Sequence, residues 1–498
     1  MKRISTLLTI ILIFMMVPYL LSQGYLNLEQ KVIRHTLPNG LRILLLERHA
    51  APVISFVTWA NVGAANEVTG MTGIAHLFEH MAFKGTKTIG TKNIEKEMEA
   101  MAKEDETFEA WLAEYRKGAM ADSIKLAQLK ADHQEAVDAA REFVVSNELG
   151  EVIEIEGGRG LNAGTGYDAT LYFYNLPSNK LELWMSLESD RFLNPVLREF
   201  FTEKEVVMEE RRMRTESNPT GKLIEEFIAA AYKAHPYGEP IVGHMSDLIP
   251  LRREEANRFF KTHYTPQNLV VAIVGDIQPA EVTDLADTYW GRIPRGSERE
   301  PVDTVEPPQL GQKRIEVEDQ AQPLILIGYH RPDVYHKDSA VLDAITDIVG
   351  QGRTSRLYKN LVKEKKIALA TGAISGWTMG KYPGLFLFYA FPAQGHAVEE
   401  CEASMYEVIE RLKNEPISEE ELTAVKTRAK VNFLEGLDSN QGLAMQLAWA
   451  ETFFNDYQEL FHEVEKIEAI TAEDIQRVMK TYFKKKNRTV GMSVSPEA

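Results

Sequence analysis

The chain has 498 residues, 44% of them hydrophobic and 26% charged, the composition of an ordinary globular protein with room for two or more domains. Its net charge of −17 argues against nucleic acid and anionic membrane surfaces as partners. A single cysteine, Cys401, excludes an internal disulfide and the cysteine-rich closed sites of structural zinc.

In chain order, Lys2 and Arg3 precede an apolar run at residues 7–21, the pattern of a secretory signal peptide over residues 1–24. The region near Ser22 to Gly24 lacks a small-x-small cleavage pattern, so an uncleaved membrane anchor is the alternative. No later stretch is apolar for long enough to span a membrane, so a secreted or periplasmic protein with no stable membrane insertion is expected. A hairpin follows, VIRHTL and LRILLLE around Pro38-Asn39-Gly40, and then a strand in PVISFVTWANVG. The segment GIAHLFEHMAFKGT reads as a short helix with Thr72 as its N-cap, Gly85 as its stop and an apolar stripe of Ile74, Leu77, Phe78 and Met81.

Residues 93–147 are rich in Ala, Glu, Lys, Leu and Gln, lack proline and carry Gly118 near their middle. They read as a helical hairpin or a bent long helix inserted into the first domain. Residues 161–177 have strand character, 181–194 and 201–216 are helical, LVVAIVGDI is a buried strand, and a helix begins near Pro279. A stretch rich in Pro, Gly and charge, residues 291–312, reads as a linker. Beyond it the order recurs: RIEVE, PLILIGYH, SAVLDAITDIVG, GLFLFYAF, then long helices. The expected fold is α+β, two duplicated domains over 25–290 and 313–498, each a mostly antiparallel sheet packed with helices.

Residues 76–80 read His-Leu-Phe-Glu-His. On a helix His76, Glu79 and His80 project from one face. Two imidazoles at that spacing can hold one zinc ion, and the carboxylate can take a proton from water beside it. The order reverses the commoner His-Glu-x-x-His motif. The alternative is a surface helix that happens to carry two histidines. A catalytic zinc keeps three protein ligands. The third is sought in FTEKEVVMEERRM, where Glu203 and Glu210 are two helical turns apart and Val206 and Val207 help to bury that side. Glu210 is the candidate ligand and Glu203 the carboxylate that orients a histidine; spacing alone leaves Glu209 open beside Glu210.

GIAHLFEHMAFKGT, LNAGTGYDATLYFYNLP and EKEVVMEERRM, with HPYGEPIVG, YTPQNLVVAIVGDI and GQGRTSRLYKNLVKEKKIA, resemble the pitrilysin/insulinase family of zinc peptidases in its half-length, two-domain form. The resemblance covers nearly the whole chain after the signal, in the family's order. It implies a zinc metalloendopeptidase that hydrolyses internal bonds of unfolded peptides or small proteins in an enclosed chamber. His76, His80 and Glu210 would be the zinc ligands, Glu203 the additional acid and Glu79 the general base. Asn162 and Ala163 fall on a strand along which the family pairs substrate backbone. The family's second half supplies an Arg/Tyr pair to the reacting carbonyl. Tyr389 matches the tyrosine, but the position seven earlier is Tyr382. That departure points to a second family chain, in a heterodimer or homodimer, as the source of the missing donors. The second half has no His-x-x-Glu-His and would form a chamber wall. The competing function is a non-catalytic structural or peptide-binding subunit of a complex, against which the intact Glu79 argues.

Overall fold

The computed structural model describes residues 28–319, 322–378 and 380–494. The expected signal peptide lies outside the described residues. Among them, no helix is long and apolar enough to cross a membrane.

Two sheets organise the chain. The first contains β1 (Ile33–Thr36), β2 (Arg42–Glu47), β3 (Val53–Ala60), β4 (Arg159–Thr165), β5 (Thr170–Pro177) and β6 (Leu269–Gly275), in the order β1-β2-β6-β3-β5-β4. The second contains β7 (Lys313–Glu318), β8 (Leu324–Arg331), β9 (Ala368–Ile374), β10 (Gly384–Pro392) and β11 (Arg488–Val494), in the order β7-β11-β8-β10-β9. The run β2-β6-β3-β5-β4 matches β7-β11-β8-β10-β9 position for position. In each run only the first pair, β2–β6 or β7–β11, is parallel, and the rest are antiparallel. The recurrence read from the sequence is therefore a duplicated mixed sheet.

Both faces of each sheet are covered, which is why β6 is buried at every position and reads as an unbroken apolar run. In the first sheet Ile43, Ile54, Phe56, Val271 and Ile273 pack on helices of the same half. The opposite face, with Leu44, Val57, Val270 and Ala272, is covered by Leu443, Ala444 and Leu447 of the Asn440–Phe454 helix from the second half. The exchange is reciprocal: Leu223 and Phe227 of the Pro219–Ala231 helix cover Leu324, Leu326, Leu385 and Leu387 of the second sheet. Phe227 approaches so closely that a Cβ on Gly328 would lie 2.7 Å from its ring. The halves are thus interlocked through apolar contacts. Residues 294–310 carry no helix or strand, yet they are tied down: Glu306 accepts from the backbone N–H groups of Lys233, Ala234 and His235, and Arg299 donates to the Asn61 carbonyl.

The insertion is a hairpin of two helices, Ile94–Tyr115 and Ser123–Arg141, turning at Gly118 with φ +57°. Its first helix is rooted in the core. Phe108 and Leu112 join the main apolar cluster. Buried Glu97 pairs with buried Arg198, and buried Glu104 with buried Arg253.

Candidate metal centre

The Ile74–Met81 helix starts at Gly73, whose φ is +86°. A Cβ at Gly73 would sit 2.4 Å from the Val242 carbonyl oxygen, so this glycine lets the loop of residues 235–243 press against the helix start. Thr72, expected as the cap, does not fill that role. Its hydroxyl donates to Asp247 at 2.8 Å and accepts from the His244 N–H. The first turn is instead satisfied by Glu67, whose two carboxylate oxygens accept from the N–H groups of Gly73 at 2.9 Å and Ala75 at 2.8 Å. Burial, with Glu239 and Asp247, pushes Glu67 up to about 8 although these two N–H groups pull it back. Glu67 lies outside the spacing of a capping box, so local pattern does not reveal it. Ile74, Leu77, Phe78 and Met81 are buried as the stripe predicted, with the Phe78 ring centroid 5.0 Å from Phe260 and 4.5 Å from Tyr264.

That packing turns two histidines toward the Phe200–Arg211 helix. His76 Nε2 lies 3.6 Å from Glu210 Oε1, and His80 Nε2 lies 3.5 Å from Glu210 Oε2. The three ligand atoms all fall within 4.8 Å of one another. Bonds of about 2.0–2.2 Å at tetrahedral angles place ligand atoms roughly 3.3–3.6 Å apart, so the trio suits a zinc ion. Glu209 points to solvent and pairs with Arg212 at 2.8 Å, so the helix offers Glu210. Val207 is buried beneath this face, but Val206 is 45% exposed. The core lies on the side of Lys204, Val207 and Met208, and Val206 projects from the open flank.

Glu203 lies where the spacing put it, with Oε2 3.3 Å from His80 Nδ1. Its other oxygen is 2.5 Å from Lys84 Nζ, which is also 3.1 Å from Glu199. Glu79 accepts from the Thr165 hydroxyl at 2.6 Å. Burial, with the charges of His80 and Arg214, pushes His76 down to about 3, so its imidazole is neutral near pH 7, the form a metal ligand needs. Its Nδ1 is buried without a partner among the described residues. Burial works to lower His80, but Glu203, Glu210 and Glu79 outweigh it and raise its pKa. Burial raises Glu79, partly offset by the Thr165 hydrogen bond. Burial works to raise Glu203, but His80 and Lys84 hold it below the ordinary carboxylate value.

Asn162 and Ala163 lie in β4, opposite Phe173 and Tyr172 of β5, with a bulge between Arg159 and Asn162. β4 is the last strand of its sheet, so its outer edge has no strand partner. Asn162 is exposed and Ala163 half-buried. The same strand ends at Thr165, against Glu79. Tyr389 belongs to the second sheet. It sits in β10 opposite Gly372, with its ring across that glycine and near Phe391. Tyr382 is built into the seam between the halves, its N–H donating to the Tyr237 hydroxyl at 3.2 Å while that hydroxyl donates to buried Asp168. Sequence reasoning missed Glu67, Lys84, Thr165 and Arg214. Lys84, four residues beyond His80, and Arg214, four residues beyond Glu210, gave local signals.

The sequence model of the insulinase family, peptidase family M16, matches residues 42–110 and 142–244, and that of the peptidase M16 inactive domain matches residues 250–429. The chain belongs to the M16 family. The first M16 match spans the metal cluster and skips residues 111–141, the outer part of the helical hairpin. Zinc protease PqqE of Helicobacter pylori is 28% identical over 470 residues, covering 93% of this chain and 92% of its own. The crystal structure of a protease from Helicobacter pylori superposes with a TM-score of 0.78 at 26% identity, over 93% of this chain and 99% of that one. The periplasmic protease PqqL from Escherichia coli shares the fold, with a TM-score of 0.69 at 18% identity, over 94% of this chain and 48% of that one. The half-length, two-domain M16 form expected from the sequence is thus the form of this chain.

Proposed function

We propose that the chain is a zinc metalloendopeptidase acting on unfolded peptides or small proteins in an enclosed chamber. One observation carries the reading: two imidazoles and a carboxylate converge at metal-ligand spacing, with a fourth group, Glu79, held beside them at the end of an open strand edge. The names of M16 relatives as zinc proteases support it.

His76, His80 and Glu210 would hold zinc, which when bound lowers the pKa of a coordinated water toward about 7 and polarises the scissile carbonyl. Glu203 takes the Nδ1–H of His80, leaving the Nε2 lone pair directed at the seat. Glu79 accepts the proton of the attacking water and returns it to the leaving amine. Thr165 orients the Glu79 carboxylate. The β4 edge around Asn162 and Ala163 would pair with substrate backbone, which gives affinity with little sequence preference. A second chain of the family, or a second copy, would close the chamber and bring further donors; Tyr389 would then serve from the wall formed by the second half. The match of that half to an inactive M16 domain suits such a wall. Secretion or periplasmic location follows from the charged and apolar pattern of residues 1–24.

Glu79→Gln tests the reading against that of a non-catalytic subunit. Turnover of a mixed peptide pool should fall by roughly 10²–10⁴-fold while bound zinc, measured by atomic absorption, stays equimolar with protein. Undiminished hydrolysis in this variant refutes the assignment. A wild-type protein with no chelator-sensitive hydrolysis supports the non-catalytic subunit.

A further inference from the structure

Amide hydrolysis at this centre builds negative charge on the carbonyl oxygen, which a donor beside the metal would share. As the water oxygen bonds to the carbonyl carbon, its proton passes to Glu79 and the carbonyl π pair moves onto oxygen. Collapse then breaks the C–N bond, and the proton leaves Glu79 for the amine. The negative oxygen needs donors already aimed at it, yet the side chains around the seat are acidic: Glu79, Glu203 and Glu210. Two cations pair with them. Lys84 is committed to Glu203 and Glu199. Arg214 is not. Its Nη2 lies 2.6 Å from Glu210 Oε1, the same oxygen that lies 3.6 Å from His76 Nε2. Glu210 is the guanidinium's one ionic partner among the described residues, and the side chain is 65% exposed, so the remaining N–H groups face open space beside the seat.

The placement of Arg214 is built into the fold. The Phe200–Arg211 helix continues as a π-helical turn, Arg212–Glu216, a feature that recurs at functional sites. Gly221 lies against this turn so tightly that a Cβ would sit 1.9 Å from the Arg214 carbonyl oxygen. Buried Arg211 donates to the Gly243 carbonyl at 2.7 Å and to both oxygens of Glu225 at 3.0 Å. The backbone around Arg214 is locked, while its side chain is exposed and paired with Glu210. A planar fork can keep Glu210 on one N–H and reach a carbonyl oxygen with another, which an ammonium does less well.

We propose that Arg214 is a catalytic residue whose guanidinium contacts the scissile carbonyl oxygen and binds it more strongly as it becomes anionic. The inference rests on the peptidase reading. It places a cation in the first half, while the position seven before Tyr389 holds Tyr382, bonded to Tyr237 in the seam.

The test compares two ligands in a Glu79→Gln background, where turnover is blocked. The full chain is loaded with zinc and used in the assembly state in which it is isolated. One ligand is a peptide that the wild type cleaves; the other is its phosphinic analogue, a tetrahedral anion. Adding Arg214→Ala should weaken the phosphinic peptide about 100-fold in calorimetric titrations and change substrate affinity by less than about threefold, with zinc stoichiometry unchanged. Arg214→Lys should fall between. Equal weakening of both ligands, or of neither, overturns the proposal. So does a loss that excess zinc reverses, because Arg214 would then act only on Glu210. If the wild type cleaves no peptide in a zinc-dependent way, the peptidase reading itself fails, and the role of Arg214 fails with it.

Discussion

In the first half, the Ile74–Met81 and Phe200–Arg211 helices meet across two imidazoles and the carboxylates of Glu203 and Glu210, with Lys84 and Arg214 at the margins. The equivalent helices of the second half, Ser339–Gly350 and Glu419–Asp438, meet through Arg428, which forks onto Asp347 at 2.6–3.0 Å. Beside them Arg356 forks onto Glu421 at 2.7–2.9 Å. Opposite charges in equal number close on themselves and need nothing further. Imidazoles facing carboxylates over 3.5–3.6 Å are left short of positive charge, and a divalent cation completes them. One duplicated frame thus gave one junction with a candidate metal seat and one closed by ion pairs. The difference lies in a handful of side chains rather than in the strands and helices that carry them.

The strongest way to break this contrast is to remove the carboxylate that spans both histidines. Glu210→Gln should weaken zinc by more than the roughly 10–100-fold that outer partners of a metal site cost, and peptide turnover should drop to background at limiting zinc. A chelator competition titration reads the first and a peptide assay the second. Retention of tight zinc in this variant would separate the cluster from metal binding altogether.

The matching change in the second half should behave in the opposite way. Asp347→Asn breaks the junction pair, whose arginine is 40% exposed, so solvent already screens it. The expected cost is about 1 kcal/mol, or roughly 1 °C in Tm for a chain of this size, with zinc content and kcat unchanged. A drop in zinc affinity would show that the two junctions are coupled.

The smallest effect sharpens the comparison within the first half. In the proposed mechanism Glu79 works as a carboxylate; burial lifts its pKa above the ordinary value while the Thr165 hydroxyl pulls it back. A base must be ionised to accept a proton, so its pKa sets the acid limb of kcat/KM. Removing a hydrogen bond to the charged form raises the pKa further. Thr165→Val should therefore move that limb to higher pH, by about one unit or less. A shift to lower pH would contradict the orientation assigned to Thr165.

Much of the metal cluster was legible because it is local. His76, Glu79 and His80 share a helix face by periodicity, and Glu203 and Glu210 share another. Part of the duplicated order of strands was legible because buried strands such as β8 and β10 read as apolar runs, while β9 and β11 went unread. Spacing did not decide between Glu209 and Glu210, since adjacent residues differ only in which way the helix faces its neighbour. The resemblance to M16 peptidases favoured Glu210, and in the structure packing against the Ile74–Met81 helix sets that direction. The cap went to Glu67 rather than Thr72 because the loop through Gly243 engages Thr72 from a distant part of the chain.

The amino-acid sequence by itself determined the elements, their repetition and the chemistry of the histidine helix, because these depend on residues within a few turns of one another. Only the tertiary structure decided that each half lends a helix to the other's sheet and that β4 ends beside Glu79. Those relations join residues far apart along the chain, and they arise from how apolar faces are covered, which no local pattern records.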